Sequence, residues 1–139
     1  MEADEIIAAS RYMTLATADE HGVPWASPVW FATEDLRHFY WVSDPNARHS
    51  RNIVQRPETA LVIFDSTVTP GHARAVYIAA RAEQVAPDEI PVFERVSAAQ
   101  GLKVWTEADV SPPAKHRLYR ATATERYTLR HDVDERAPF

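Results

Sequence analysis

"YMTLATADEHGVPWASPVWFATEDLRHFYWVS", residues 12–43, holds three strand signals in close succession. YMTLATA (12–18) is rich in β-branched and apolar residues, and DEHG (19–22) reads as a turn in which Gly22 is free to take positive φ. VPWASPVWFAT (23–33) is a second strand. Its alternating sets, Trp25, Ser27, Val29, Phe31 and Ala26, Pro28, Trp30, Ala32, are both largely apolar, which predicts two covered faces. Pro24 and Pro28 cannot donate to a ladder, so this strand is expected at an edge or with a bulge. EDLR is a turn, and HFYWVS (38–43) is a third strand. Three strands so closely joined predict an antiparallel meander.

The flanking sequence extends this pattern. Residues 3–11 read as a short helix with Ile6, Ile7 and Tyr12 on its apolar side. DPNARHSRNIVQRP (44–57) reads as a helix, with Asp44 as N-cap, Pro45 at the first position and an end near Gln55, before Pro57. Ala47, Ser50 and Val54 share one side, with Ile53 beside it. Arg48, Arg51 and Asn52 share another. TALVIFDS (59–66) and residues 73–86 are strands, Pro87 opens a helix of about ten residues, and 116–130 is a last strand. Residues 100–115 read as irregular loop, and the tail from His131 as loose. The count is about six strands and three short helices, which fits a mostly antiparallel barrel or curled sheet in a single domain, 1–139.

Composition bounds the function. The net charge of −5 gives no general attraction to nucleic acid or to an anionic membrane, so a bound anion must meet a local cluster. Residues 45–57 are such a cluster, with Arg48, His49, Arg51 and Arg56 and no acid among them. The chain has no cysteine, which excludes disulfides and thiolate metal sites. The six histidines form no i, i+4 pair, so a metal site is not expected. No apolar run reaches the length of a membrane span, and the opening MEADEIIAAS is not a signal peptide. A soluble cytoplasmic protein is expected. No nucleophile motif or glycine-rich phosphate loop occurs.

The ordered set TLAT, SPVWF, the Arg-rich helix with RNI and a proline, and the apolar strand after it resembles the pyridoxamine 5'-phosphate oxidase-like split-barrel family over residues 11–85. LYRATATERYTL resembles the family's last strand more weakly. The resemblance implies a homodimer of six-stranded antiparallel split β-barrels, with FMN, or alternatively F420, in clefts at the interface. It implies that Arg48, His49 and Arg51 hold the cofactor phosphate. Ser27, Pro28, Val29 and Trp30 would lie along the ring, with Tyr40, Trp41, Ser43 and Asn52 bordering the site. Ala47-Arg48-His49 stands where better-known members carry Ser-Arg-Lys. A titratable imidazole thus replaces a fixed charge, and His49 acting as imidazolium would make affinity fall between about pH 6 and 8. Phe31 stands where the true oxidases carry a lysine, and their C-terminal arginine pattern is not found here. The resemblance therefore supports a flavin-type cofactor and argues against vitamin B6 oxidation.

Each residue also has a plainer reading. The arginines suit a solvated helix face, the aromatics suit core or interface packing, and Ser43 and Asn52 suit helix capping. Trp105, in the irregular loop, is a candidate to cover a bound ring from the partner subunit. The expected function is a flavin-dependent oxidoreductase acting on a small organic substrate. A flavin-binding module or sensor without turnover, and a cofactor-free interaction barrel, are the alternatives. The absence of an evident catalytic dyad fits the first, because the cofactor supplies the hydride chemistry.

Overall fold

A computed structural model describes residues 2–130 and 133–139. In chain order the elements are α1 (Glu2–Ala8), β1 (Tyr12–Ala18), β2 (Pro24–Ala32), β3 (His38–Ser43), α2 (Arg48–Gln55), β4 (Glu58–Phe64), β5 (Ala75–Gln84), α3 (Pro91–Ala99), β6 (Arg117–Arg130) and β7 (Glu135–Pro138). The strands run β3-β2-β1-β4-β5-β6-β7 and are all antiparallel. A further β3–β6 pairing closes the first six into a barrel.

The length of β6 makes closure possible. Residues 117–122 pair with β3, 119–128 with β5, and 127–130 with β7. At its middle the register jumps: Ala79 faces Glu125 and Ala80 faces Ala123. Thr124 is the extra residue of a bulge, and its hydroxyl donates to the Ala79 carbonyl at 3.1 Å. Such a bulge adds the local bend and twist a closed sheet needs.

Alternation sorts the side chains. Met13, Leu15, Phe31, Phe39, Trp41 and Ile63 point into the barrel and are at most 3% exposed. β3 is buried on both faces, because Tyr40 on its outer side packs with Leu118, Phe93 and Val110 beneath α3. Four-residue helix geometry also appears in the expected loop. Thr106 and Asp109 form a reciprocal capping box over a short 3-10 helix, Glu107–Val110.

Two expectations are corrected. β7 lies in the expected loose tail: it is short and polar, with no apolar alternation to announce it, and it holds by register against Tyr127–Arg130. His131 and Asp132 lie outside the described residues. The helix α2 begins at Arg48, not at Pro45. Asp44 Oδ1 accepts the Asn46 N–H at 2.9 Å, and the Ala47 N–H bonds to the Asp44 carbonyl at 3.0 Å. Asp44 thus folds a local turn instead of capping the helix. The dry side of α2 is also shifted: Ser50, Asn52 and Ile53 are buried, while Val54 is 78% exposed.

Candidate functional site: the first turn of α2 and the open edge of β2

β2 pairs along its whole length with β1, from Ala18↔Pro24 to Tyr12↔Trp30. With β3 it pairs only at Phe31 and Ala32. Its other edge is open from Pro24 to Trp30 among the described residues. The Phe31 N–H bonds to Arg11 on the β1 side. In an antiparallel ladder the direction alternates, so Val29, Ser27 and Trp25 also face β1, and Pro24, Ala26, Pro28 and Trp30 face the open edge. Both prolines therefore sit where a missing N–H breaks no ladder bond, which is the edge placement their spacing predicts. The open edge offers the Ala26 N–H and the Ala26 and Pro28 carbonyls to a ligand. The expected cover on both faces is not met within one chain: Pro24, Trp25, Ala26 and Pro28 are exposed.

α2 lies across the same end of the barrel. Its N-cap is Ala47 in extended conformation, with no side-chain cap. The first-turn N–H groups are left for another acceptor, at the positive end of the helix. Arg48 and Arg51 are exposed on this turn. Among the described residues, Arg74, Arg81, Arg95 and Arg120 are paired with carboxylates, whereas Arg48 and Arg51 are not. The local acids are engaged elsewhere. Asp19 Oδ1 accepts the Val23 and His21 N–H groups at 3.0 and 2.8 Å. Those bonds, with the field of Arg48, hold its carboxyl below the usual range. Asp44 is met by Lys115 at 3.5 Å. Arg51, Asn52, Pro45 and Asp19 line a hollow of about 370 Å³.

The other predicted residues divide. Arg48 and Arg51 share the first turn of α2, and Ser27, half-buried, lies on β2 two residues from Trp25. Ser43 and His49 meet at 2.9 Å, Oγ to Nε2, at the helix start. Asn52 is buried and donates from Nδ2 to Thr17 Oγ1 at 3.0 Å, so its amide ties α2 to β1. Three aromatic or apolar candidates are packing residues in this chain. Val29 and Trp41 are inside the barrel, and Tyr40 is under α3. Trp30 packs edge-on against Phe93 at 5.1 Å and donates to Gln100 at 2.9 Å. Trp105 packs edge-on against Phe93 and His116, with Lys103 over its ring. Arg56, part of the basic run, donates to the Asp19 and Glu20 carbonyls and clamps the β1–β2 turn.

Sequence reading missed Trp25. The Arg48 guanidinium lies 4.1 Å from the centre of its ring. The signal was present: Trp25 and Ser27 share one face of β2, and that face runs past the barrel wall toward α2.

Burial lowers the His49 pKa from its ordinary 6.5. The ring is then neutral at pH 7, which corrects the expectation of an imidazolium and leaves His49 a hydrogen-bonding group. The unfolded chain takes up this proton before the folded one does. Stability linked to His49 is therefore intact above pH 6.5 and lost as pH falls through the lowered folded value. Thermal melts from about pH 8 to 5 should show wild type losing stability on the acid side more steeply than His49→Gln. Parallel curves would show that His49 does not contribute.

The family model described as pyridoxamine 5'-phosphate oxidase matches residues 1–130. The chain belongs to this family. No curated protein matches it. Among solved structures, it is similar to a heme-binding protein from Mycobacterium smegmatis, at 21% identity and TM-score 0.72, over 99% of this chain and 56% of that one. It is also similar to HutZ, the heme storage protein from Vibrio cholerae, at 20% identity and TM-score 0.72, over 88% of this chain and 87% of that one. An F420 reductase aligns at 20% identity and TM-score 0.61, over 83% and 87%. At these identities the likeness shows the split-barrel fold. No helix among the described residues is long and apolar enough to cross a membrane.

Proposed function

We propose that the chain is a flavin-dependent oxidoreductase that binds FMN, or F420 in its place, at a homodimer interface and acts on a small organic substrate. The observation that carries this reading is the uncapped first turn of α2 with two arginines free of carboxylates. A phosphate ester suits it. Guanidinium groups meet phosphate with planar, paired donors, and the free N–H groups add to them. The open β2 edge, at the same end of the barrel, presents one N–H and two carbonyls, a donor-acceptor set suited to the polar rim of a flavin or deazaflavin. When bound, that ring supplies hydride transfer, and the protein's part is to hold and orient it. Arg48 and Arg51 neutralise the phosphate. Ala26 and Pro28 offer backbone groups, and Ser27 borders the ring. Phe31 is 3% exposed and packs at 6.3 Å from Phe39. It presents no cation to the cleft, which supports a substrate other than pyridoxamine phosphate.

Heme is the competing ligand suggested by two of the structural relatives, since its propionates also suit paired arginines. It would need an axial ligand nearby. The histidine at this site, His49, has Nε2 committed to Ser43, so the flavin reading is favoured. Parallel titrations with FMN, F420 and hemin decide. Saturable binding of FMN or F420, lost in Arg48→Ala, is expected. A Soret band that forms on hemin addition, with no flavin binding, would overturn the proposal. Reduction of the bound cofactor by NAD(P)H or by substrate separates an enzyme from a carrier.

The dimer is assigned to the outer face of β1, β4 and β5. Thr14, Val62 and Tyr77 stand side by side there in register. With Ala16, Ala60 and Tyr127 they line an apolar hollow of about 280 Å³. Apolar faces of this kind mark association surfaces. Val62→Asp places a charge at the centre of this face, while its neighbours Leu61 and Ile63 still point inward. Light scattering should report one chain for the variant and two for wild type. A variant that stays dimeric places the interface elsewhere.

A further inference from the structure

We propose that Trp25 is a positioning residue for Arg48, holding its guanidinium ready for the cofactor phosphate. This rests on the reading of α2 as the phosphate site. An exposed arginine has a long side chain with about 2 kcal/mol of rotamer entropy to lose on binding. Arg48 has no carboxylate to fix it, but its guanidinium carbon lies 4.1 Å from the centre of the Trp25 ring. Tryptophan is the best aromatic partner for a cation.

The platform is itself fixed to the helix it serves. Trp25 is the ladder partner of Thr17. Thr17 Oγ1 accepts the buried Asn52 amide from the next turn of α2. Arg56, at the end of the same helix, holds the β1–β2 turn through two carbonyls. The ring and the root of the Arg48 side chain therefore belong to one frame. A guanidinium on a ring face keeps its N–H edge free, so stacking on Trp25 and bonding to phosphate are compatible. Stacking also leaves the charge intact, as an ion pair with Asp19 would not.

The test compares ligands with and without phosphate: FMN against riboflavin, and F420 against its phosphate-free deazaflavin. Trp25→Leu should weaken the phosphate-bearing member of the binding pair by about two- to fivefold. The phosphate-free member should be unaffected. Trp25→Phe should recover most of the loss. In an Arg48→Ala background, Trp25→Leu should add nothing. Equal weakening of both members, no weakening of either, or a full further loss without Arg48 would overturn the proposal while the phosphate site stands. If phosphate improves binding in neither pair, the phosphate site itself is wrong and this inference falls with it.

Discussion

Replacing Arg48 and Arg51 together with alanine is expected to weaken binding of FMN or F420 by about a hundredfold or more. A hydrogen bond to a charged group contributes about 1.5–3 kcal/mol, and each 1.4 kcal/mol is a factor of ten. Losing both guanidiniums also leaves the phosphate facing a protein of net charge −5, with only the helix N–H groups to hold it. Stability should change by less than about 0.5 kcal/mol, because both residues are exposed and neither is paired with a carboxylate. Arg56→Ala is the control for the basic run as a whole. Its guanidinium is already spent on Asp19 and Glu20 carbonyls, so it should loosen the β1–β2 turn and leave phosphate affinity nearly intact. Isothermal titration of the three proteins, alongside thermal melts, gives both numbers. An unchanged dissociation constant in the double variant would remove the phosphate from α2.

The strands were legible because their signals were local. β1 and β3 are bounded where alternation and turns placed them, and the two prolines of β2 marked its open edge. What the pattern could not carry was competition between local and helical bonding. Asp44 is a good N-cap by type, yet its oxygen is taken by Asn46 two residues on, and α2 starts later. Nor could it show which face of α2 the barrel covers, since Val54 and Ile53 are adjacent and equally apolar. That is settled by tertiary packing. β7 was invisible for a related reason: an edge strand held by backbone register needs no apolar side chains.

The candidate site was legible where charge drew attention to it and obscure where aromatics did. Arg48 and Arg51 stand out in an acidic chain. The aromatics of SPVWF and FYWVS do not sort by type, because barrel interior, outer cluster and ligand wall all favour the same side chains. Only the three-dimensional alternation separates them. Trp41 goes inward, Tyr40 goes under α3, and Trp25, further along β2, reaches the arginines.

Trp41 therefore yields the sharpest test of core against site. Its ring is fully buried and stacks on Tyr119, with centroids 5.8 Å apart and planes 14° from parallel. Trp41→Ala removes one of the largest side chains of the barrel interior and leaves a cavity, at a cost of about 3–5 kcal/mol. Against a typical total of about 5–15 kcal/mol this is a large fraction. For a chain of this size the melting temperature should fall by roughly 10–20 °C. Trp41→Phe should behave differently. It keeps an aromatic ring against Tyr119 and removes an indole N–H that has no partner in the core, so the lost packing is partly offset and the net cost should stay below about 1.5 kcal/mol. Cofactor affinity in Trp41→Phe should equal that of wild type, because a side chain inside the barrel touches nothing that enters from α2. A weakened affinity at unchanged melting temperature would put Trp41 back on the cofactor wall, and would mean that the barrel end opens to admit the ring.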